Sequence, residues 1–134
     1  MFELELKRAR RYEKPLSVIL CDLDNFKQIN DSYGHQVGDE VLIVIARLIL
    51  KSVRVTDFAG RWGGEEFMII CPESDLNQAI RVAEKLRMEI EMQPFSEIGQ
   101  RTSSFGVASF VLGDDIDAML KRADRCTLSC KKRW

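Results

Sequence analysis

Two groups of acidic residues are the strongest sign of chemistry in this sequence. Asp22 and Asp24 stand two residues apart at the end of an apolar run, and Glu65 and Glu66 directly follow a glycine pair. Carboxylates are ligands that Mg²⁺ prefers, and the ion usually takes only one or two from protein while phosphates supply others. A metal site built from a strand end and a neighbouring hairpin is one interpretation. The alternatives are a solvated strand end that leads into a helix cap, and a merely charged turn.

The glycine pair itself favours a ligand at the hairpin. Gly63 and Gly64 allow a tight turn and a close approach of a ligand to the backbone. Hairpins more commonly use Asn-Gly or Asp-Gly, so two adjacent acids at the tip are unusual for a simple turn.

Apolar periodicity predicts the elements that must position these groups. We expect a charged, exposed helix over residues 2–13, a buried strand over 16–23, a short helix and a turn over 24–38, and an apolar helix over 39–53 with Asp39 and Glu40 at its positive end. Hairpin strands over 58–62 and 66–71 follow, then an amphipathic helix over 74–92, a strand over 101–112 and a helix over 114–130. The core side of the 74–92 helix is predicted to carry Leu76, Ala79, Ile80, Ala83, Leu86, Met88 and Ile90.

The predicted order, β-α-β-β-α-β-α, matches the split βαβ arrangement. We therefore expect an α+β fold with a mostly antiparallel central sheet and flanking helices, formed by a single domain over residues 1–134.

Composition excludes several classes of protein. The chain has 134 residues, of which 46% are hydrophobic and 31% charged, and its net charge is −1. This balance predicts a folded domain without a nucleic-acid partner, so a nucleotide would be held by local groups and a metal. No apolar run is long enough to span a bilayer, and residues 1–11 lack the basic-then-apolar order of a signal peptide. We expect a cytoplasmic domain, although a full-length protein could be membrane-anchored.

The cysteines and the single histidine argue against a zinc site. Cys21 and Cys71 lie in apolar strand-like runs, and the four cysteines show no CxxC spacing. We expect buried thiols in a reducing compartment.

Several segments together resemble the GGDEF family. GGEEF at 63–67 matches its signature, Arg61-Trp62 resembles its Arg-aromatic lead-in, and CDLDNFKQINDSYGHQVGD at 21–39 is similar to its first long block. TSSFGVA at 102–108 and LKRAD at 120–124 resemble its later segments. A lone GGEEF would be weak, whereas these segments in this order are highly specific.

The resemblance implies a fold similar to nucleotidyl cyclases and polymerase palm domains, and a diguanylate cyclase that condenses two GTP into cyclic di-GMP and two pyrophosphates. It implies an Mg²⁺ or Mn²⁺ cofactor and a homodimer of two such domains. The implied metal ligands are Asp22, the carbonyl of Leu23, and Glu65; the implied catalytic residues are Glu65 and Glu66; the implied substrate contacts are Lys27, Asn30, His35, Asp39 and Lys131.

Two of those residues, Asp39 and Asn30, match the hydrogen-bonding groups of guanine. A carboxylate accepts from the N–H groups of the base, and an amide donates to its carbonyl. The alternatives are a helix N-cap for Asp39 and a turn histidine for His35.

Arg54 and Asp57 resemble the family's R-x-x-D product-inhibition site, which binds cyclic di-GMP. Arginine grips phosphate or guanine in a bidentate way. The alternative is a helix-end cation beside a loop aspartate.

The chain departs from the family pattern at its ends. It lacks the L-T-x-L-x-N-R stretch before the first helix and the G-R-N ending, and Arg133 is no certain replacement for that arginine. We expect an excised C-terminal catalytic domain with an upstream sensor or receiver domain in the full-length protein. The alternative function is a non-catalytic module that binds cyclic di-GMP or GTP.

Overall fold

The structure, a computed structural model, describes residues 2–61, 63–95, 97–125 and 127–129. Ten elements follow along the chain: α1 (Phe2–Tyr12), β1 (Leu16–Leu23), α2 (Phe26–Tyr33), α3 (His35–Ser52), β2 (Phe58–Arg61), β3 (Glu66–Pro72), α4 (Leu76–Met92), β4 (Ser103–Ser109), α5 (Ile116–Arg125) and β5 (Thr127–Ser129).

The strands form one sheet in the order β2-β3-β1-β4-β5, and every neighbouring pair is antiparallel. Strand β1 is central, because the apolar run that forms it is buried on both faces. The predicted α+β class with an antiparallel sheet and flanking helices is confirmed.

Alternate residues of β1 point into two different cores, as the two-residue period of a strand requires. Ile19, Cys21 and Leu23 belong to the larger core, with buried residues of α3 and α4. Val18 belongs to the smaller core, with buried residues of α1 and α5. The two cores hold the central strand rigidly from both sides, and its last residues carry the candidate site.

Helix α1 is not the exposed helix that the sequence predicts. Phe2, Leu6 and Ala9 are buried in the smaller core. Their spacing of four and three residues places them on one face of the helix. The many charged residues between them make the helix look exposed when only its composition is considered.

Helix α3 begins four residues earlier than predicted, at His35. Gly34 adopts φ 93° and donates its N–H to the carbonyl of Asn30, which closes α2. The carbonyl of Gly34 then accepts from Gly38, which starts α3. The positive φ is accessible to glycine, so one residue both ends one helix and begins the next. Asp39 is therefore not a helix cap, and His35 is not a turn residue.

The C-terminal prediction of one helix over 114–130 is wrong. Helix α5 ends at Arg125, and β5 pairs with β4 from Thr127 to Ser129. Pairing with β5 satisfies backbone groups that β4 would otherwise expose at the sheet edge.

Two smaller differences concern α4 and β4. Leu76 and Met88 are 42% and 50% exposed, whereas Ala79, Ala83, Leu86 and Ile90 are buried as predicted. Strand β4 covers fewer residues than the predicted 101–112. Trp62, Cys126, Cys130 and the basic group Lys131, Lys132 and Arg133 lie outside the described residues.

Within the described residues, Cys21 and Cys71 are buried free thiols, as predicted. None of the helices in this part of the chain has the length and apolar content that a membrane-crossing segment needs.

Candidate active site

The end of β1 and the start of β3 meet at one edge of the sheet, and acidic residues occupy both. Asp22 is the Cα partner of Glu66 on β3 and of Ser104 on β4. Directly opposite residues of antiparallel strands share a face and lie close together. Asp22, Glu66 and Ser104 thus line one side of this edge, around a cavity of about 180 Å³ that also contacts Gly106 and Asp124.

The surroundings of Asp22 disfavour its negatively charged form. Burial, and after it the charges of Glu65, Glu66 and Asp24, together raise the pKa of Asp22 from 3.8 to about 6. Like charges held together in this way are costly unless a cation joins them. The charges of Glu65, Glu66 and Asp24 all act on Asp22, and Glu66 is its direct partner across the sheet.

One carboxylate oxygen of Asp22 is free to bind a further ligand. Asp22 Oδ1 is buried and has no hydrogen-bond partner among the described residues. Buried polar oxygens normally have a partner, so this atom points to a missing ligand.

The donor set fits a divalent cation such as Mg²⁺ or Mn²⁺ that a triphosphate also contacts. Within the described ranges, no three His, Cys, Asp or Glu side chains are grouped to hold an ion. Asp22, Glu65 and the carbonyl of Leu23 would supply the few oxygen ligands that Mg²⁺ takes from protein in nucleotide sites.

Asp24 lies just beyond β1 and is already engaged. Its two carboxylate oxygens accept hydrogen bonds from the hydroxyls of Thr102 and Ser104 at 2.7 and 2.6 Å. Neither hydroxyl was assigned a role from the sequence, although both belong to the TSSFGVA segment. Asp124, in the LKRAD segment, was likewise overlooked, and it lines the cavity beside Asp22.

The hairpin that carries Glu65 is held by its preceding strand. The guanidinium of Arg61 donates to the carbonyl of Gly64, and the N–H of Gly63 donates to the carbonyl of Glu66 at 3.5 Å. Glu65 follows Gly64 directly, so these bonds restrict the backbone from which its side chain projects.

The predicted guanine contacts lie on α2 and α3. Oδ1 of Asn30 rests against Gly38, where an added Cβ would lie only 1.9 Å away. That oxygen is buried without a hydrogen-bond partner in the described structure. Asp39, the next residue, is exposed and lines a second cavity of about 430 Å³ between α3 and β2.

This second cavity has mainly apolar walls, which include Leu42, Ala46 and Phe67. Flat apolar walls with a few polar groups at the rim are typical of sites for aromatic ligands. Asn30, Lys27 and His35 do not line it, and Lys27 and His35 are exposed. The structure thus places Asn30 against Gly38, the neighbour of Asp39, and leaves Lys27 and His35 exposed at the surface. Lys131 lies outside the described residues.

Arg54 and Asp57 form a closed turn between α3 and β2. Oδ2 of Asp57 accepts from the N–H of Arg54 at 2.9 Å, and Oδ1 accepts from its guanidinium at 3.3 Å. The same guanidinium donates to the carbonyl of Pro72 and the hydroxyl of Ser74. Asp57 is buried, whereas half of the Arg54 side chain remains exposed.

Cys71 lies beneath this turn. Burial raises the pKa of its thiol to about 12, with a smaller contribution from the charge of Asp57. Arg54 opposes that shift only in part. The thiol is therefore protonated at neutral pH and acts as a small apolar side chain.

Sequence comparison finds relatives across the chain. It is 42% identical over 132 residues to the response regulator PleD of Caulobacter vibrioides. The matched region covers 94% of this chain and 29% of PleD. It is 34% identical over 137 residues to the diguanylate cyclase DosC of Escherichia coli, covering 99% of this chain and 30% of DosC. The chain therefore spans less than a third of these relatives.

Solved structures show the same fold. An active GGEEF domain of a diguanylate cyclase from Vibrio cholerae superposes with a TM-score of 0.88 at 40% identity, covering 92% of this chain and 81% of that one. The GGDEF domain of DgcB from Caulobacter crescentus, solved with c-di-GMP, superposes with a TM-score of 0.87 at 29% identity, with coverages of 92% and 75%.

A family model described as "Diguanylate cyclase, GGDEF domain" matches residues 1–133. The match agrees with the antiparallel sheet, the acidic edge and the GG hairpin, and the chain belongs to the GGDEF family.

Proposed function

We propose that this chain is a catalytic domain that condenses two GTP molecules into cyclic di-GMP and two pyrophosphates. The observation that carries the proposal is the acidic edge: Asp22 faces Glu66, is coupled to Glu65, and has a buried oxygen without a partner. A divalent cation would offset that concentration of negative charge and would also bind the anionic triphosphate.

Guanine recognition is assigned to Asn30 and Asp39. Asp39 accepts from the N–H groups of the base, and the amide of Asn30 contacts its carbonyl edge. Adenine presents the opposite pattern of donors and acceptors on that edge, so the two residues favour GTP over ATP. Lys27, exposed on the first turn of α2, is assigned to the triphosphate, and Lys131 and His35 are further substrate contacts.

Each of the two new bonds forms by in-line attack of the 3′-oxygen of one guanosine unit on the α-phosphorus of the other, so the step occurs twice in opposite directions. The bond from that phosphorus to the bridging oxygen breaks, and pyrophosphate leaves. Glu65 takes the proton from the 3′-hydroxyl, and Glu66 adds negative charge at the same edge. Bound Mg²⁺ or Mn²⁺ supplies charge neutralisation on the phosphates and lowers the pKa of the hydroxyl.

Each domain holds one GTP, so two domains must face each other for the reaction to occur. The proposed assembly is a homodimer, controlled in the full-length protein by an upstream domain. The product, cyclic di-GMP, is proposed to bind at Arg54 and Asp57 and restrain the dimer.

The decisive experiment supplies GTP and Mg²⁺ to a dimer enforced by a fused coiled coil and measures cyclic di-GMP and pyrophosphate. We expect two pyrophosphates for each cyclic di-GMP. Glu65→Gln should lower the rate by about 10²-fold to 10⁴-fold, the range for a lost general base. The matched control is Glu73→Gln, the same change beyond the opposite end of β3.

Absence of cyclic di-GMP from the enforced dimer would contradict the catalytic proposal. If the same protein bound cyclic di-GMP tightly, the non-catalytic binding module would replace it. Retained turnover in Glu65→Gln would remove Glu65 from the catalytic role.

A further inference from the structure

The turn between β1 and α2 is fastened to the start of β4 through one residue. Asp24 accepts from Thr102 Oγ1 at 2.7 Å through Oδ2, and from Ser104 Oγ at 2.6 Å through Oδ1. Its N–H donates to the carbonyl of Thr102 at 3.0 Å. The side chain and the backbone of Asp24 therefore both bind the short segment that enters β4, through Thr102 just before the strand and Ser104 within it.

Among the described residues, no side-chain cap at the start of α2 holds this turn. Asn25 adopts the left-handed conformation with φ 60°, and its side chain makes no capping bond to α2. Asparagine tolerates this conformation better than most other non-glycine residues. The bonds of Asp24 to Thr102 and Ser104 hold the residue that directly precedes it.

The position of the turn matters for the metal ligands. Asp22 and Leu23 immediately precede Asp24, and Ser104 is the Cα partner of Asp22. The hydroxyl of Ser104 thus reaches along the sheet from the residue opposite Asp22 to the carboxylate of Asp24. A shift of Asp24 would displace the two residues proposed to contact the ion.

We propose that Asp24, Thr102 and Ser104 form a positioning group that fixes the Asp22 carboxylate and the Leu23 carbonyl in place for a divalent cation. Because both oxygens of Asp24 accept hydrogen bonds from Thr102 and Ser104, we assign it to positioning and not to ligation of the ion. This inference rests on the proposed function, since it concerns the same metal.

The test measures Mn²⁺ binding by electron paramagnetic resonance in the presence of a GTP analogue that cannot react. Asp24→Asn can no longer accept from both hydroxyls, and we expect its Kd for Mn²⁺ to rise by about 10-fold to 100-fold, the usual effect of removing a group that orients a ligand. Asp75→Asn is the control, because asparagine also caps α4 and the charge change is the same.

Substitutions at Thr102 distinguish the two possible roles of Asp24, positioning and direct ligation, without changing the charge of the site. Thr102→Val removes the hydroxyl and should weaken Mn²⁺ binding, whereas Thr102→Ser retains the hydroxyl and should bind Mn²⁺ like the wild type. Thermal unfolding of each variant shows that the comparison is made on folded protein.

Two results would overturn the inference. Unchanged Mn²⁺ affinity in folded Asp24→Asn would show that the bonds to β4 are irrelevant to the ion. A loss in Asp24→Asn with no loss in Thr102→Val would make Asp24 a direct ligand. Failure of the wild type to bind Mn²⁺ would instead remove the metal site, and the proposed function with it.

Discussion

Asp22 carries an unfavourable charge in the folded protein. Its pKa rises from 3.8 to about 6, chiefly through burial and then through Glu65, Glu66 and Asp24. An acid with a raised pKa favours the folded state while it is protonated. Its contribution is present below about pH 4 and is lost as the pH rises through about 6.

We predict that Asp22→Asn raises the melting temperature at pH 7.5 by roughly 2–5 °C and has little effect at pH 4. The asparagine amide has the same shape as the carboxyl group and never ionises. The variant therefore avoids the cost of a buried charge at pH 7.5, where Asp22 is ionised, and gains nothing at pH 4, where it is protonated. Calorimetry without divalent cations at the two pH values measures this difference.

Asp115→Asn is the control, because its side chain accepts from the N–H of Ala118 and asparagine can do the same. An equal effect of Asp22→Asn at both pH values would show that charge is not the cause. Added Mg²⁺ should stabilise the wild type more than Asp22→Asn.

The second prediction for a single residue concerns Gly38 and the space beside it. Gly38→Ala would place Cβ 1.9 Å from Oδ1 of Asn30, so the Asn30 side chain must move. We expect a loss of about 1–3 kcal/mol in the free energy of unfolding, typical of overpacking, together with a higher KM for GTP. Urea unfolding and steady-state kinetics measure the two effects.

The double variant Asn30→Ala/Gly38→Ala tests the cause. Removing the Asn30 side chain should restore much of the stability but not the affinity for GTP. Full stability in Gly38→Ala alone would contradict the proposed contact.

The sequence predicted which residues would meet at the acidic edge, but not all of their roles. Asp22 and Glu66 lie at strand ends, so pattern and topology bring them together. The bonds from Asp24 to Thr102 and Ser104 join residues 78 and 80 positions apart. Such contacts depend on strand register, which periodicity alone does not specify.

At the scale of elements, the central strands were predicted well because long apolar runs and the GG hairpin are strong signals. The helix boundaries were predicted less well. Gly34 joins α2 to α3 without a polar cap, so no start signal marked His35. Residues 127–129 pair with β4, a tertiary contact that overrides the helical pattern expected there.

The turn from Arg54 to Asp57 gives the element-scale prediction. Arg54→Ala removes the guanidinium of a half-exposed side chain that could bind phosphate or guanine, and we expect the inhibition constant for cyclic di-GMP to rise about tenfold or more. The measurement is the rate of synthesis against added product.

Arg47→Ala is the matched control, since it removes an exposed arginine from the preceding helix, α3. If Arg54→Ala and the wild type were inhibited equally, the turn would be structural only. Its bonds to Pro72 and Ser74 would then be its whole role.

At the scale of the whole molecule, the proposed site is half of a larger one. One chain offers one acidic edge and one candidate guanine pocket, whereas the proposed product joins two guanosine units. We predict that the specific activity of the free chain rises with protein concentration and that dilution nearly abolishes it. Activity proportional to concentration, down to levels where sedimentation shows only monomers, would contradict the dimeric mechanism.

The most direct test of the central claim is a crystal structure with an unreactive GTP analogue and Mg²⁺. We predict that carboxylate oxygens of Asp22 and Glu65 lie within about 2.0–2.1 Å of one ion that a phosphate oxygen also contacts. An ion bound away from the edge, or Asp22 and Glu65 facing separate surroundings with the analogue present, would contradict it.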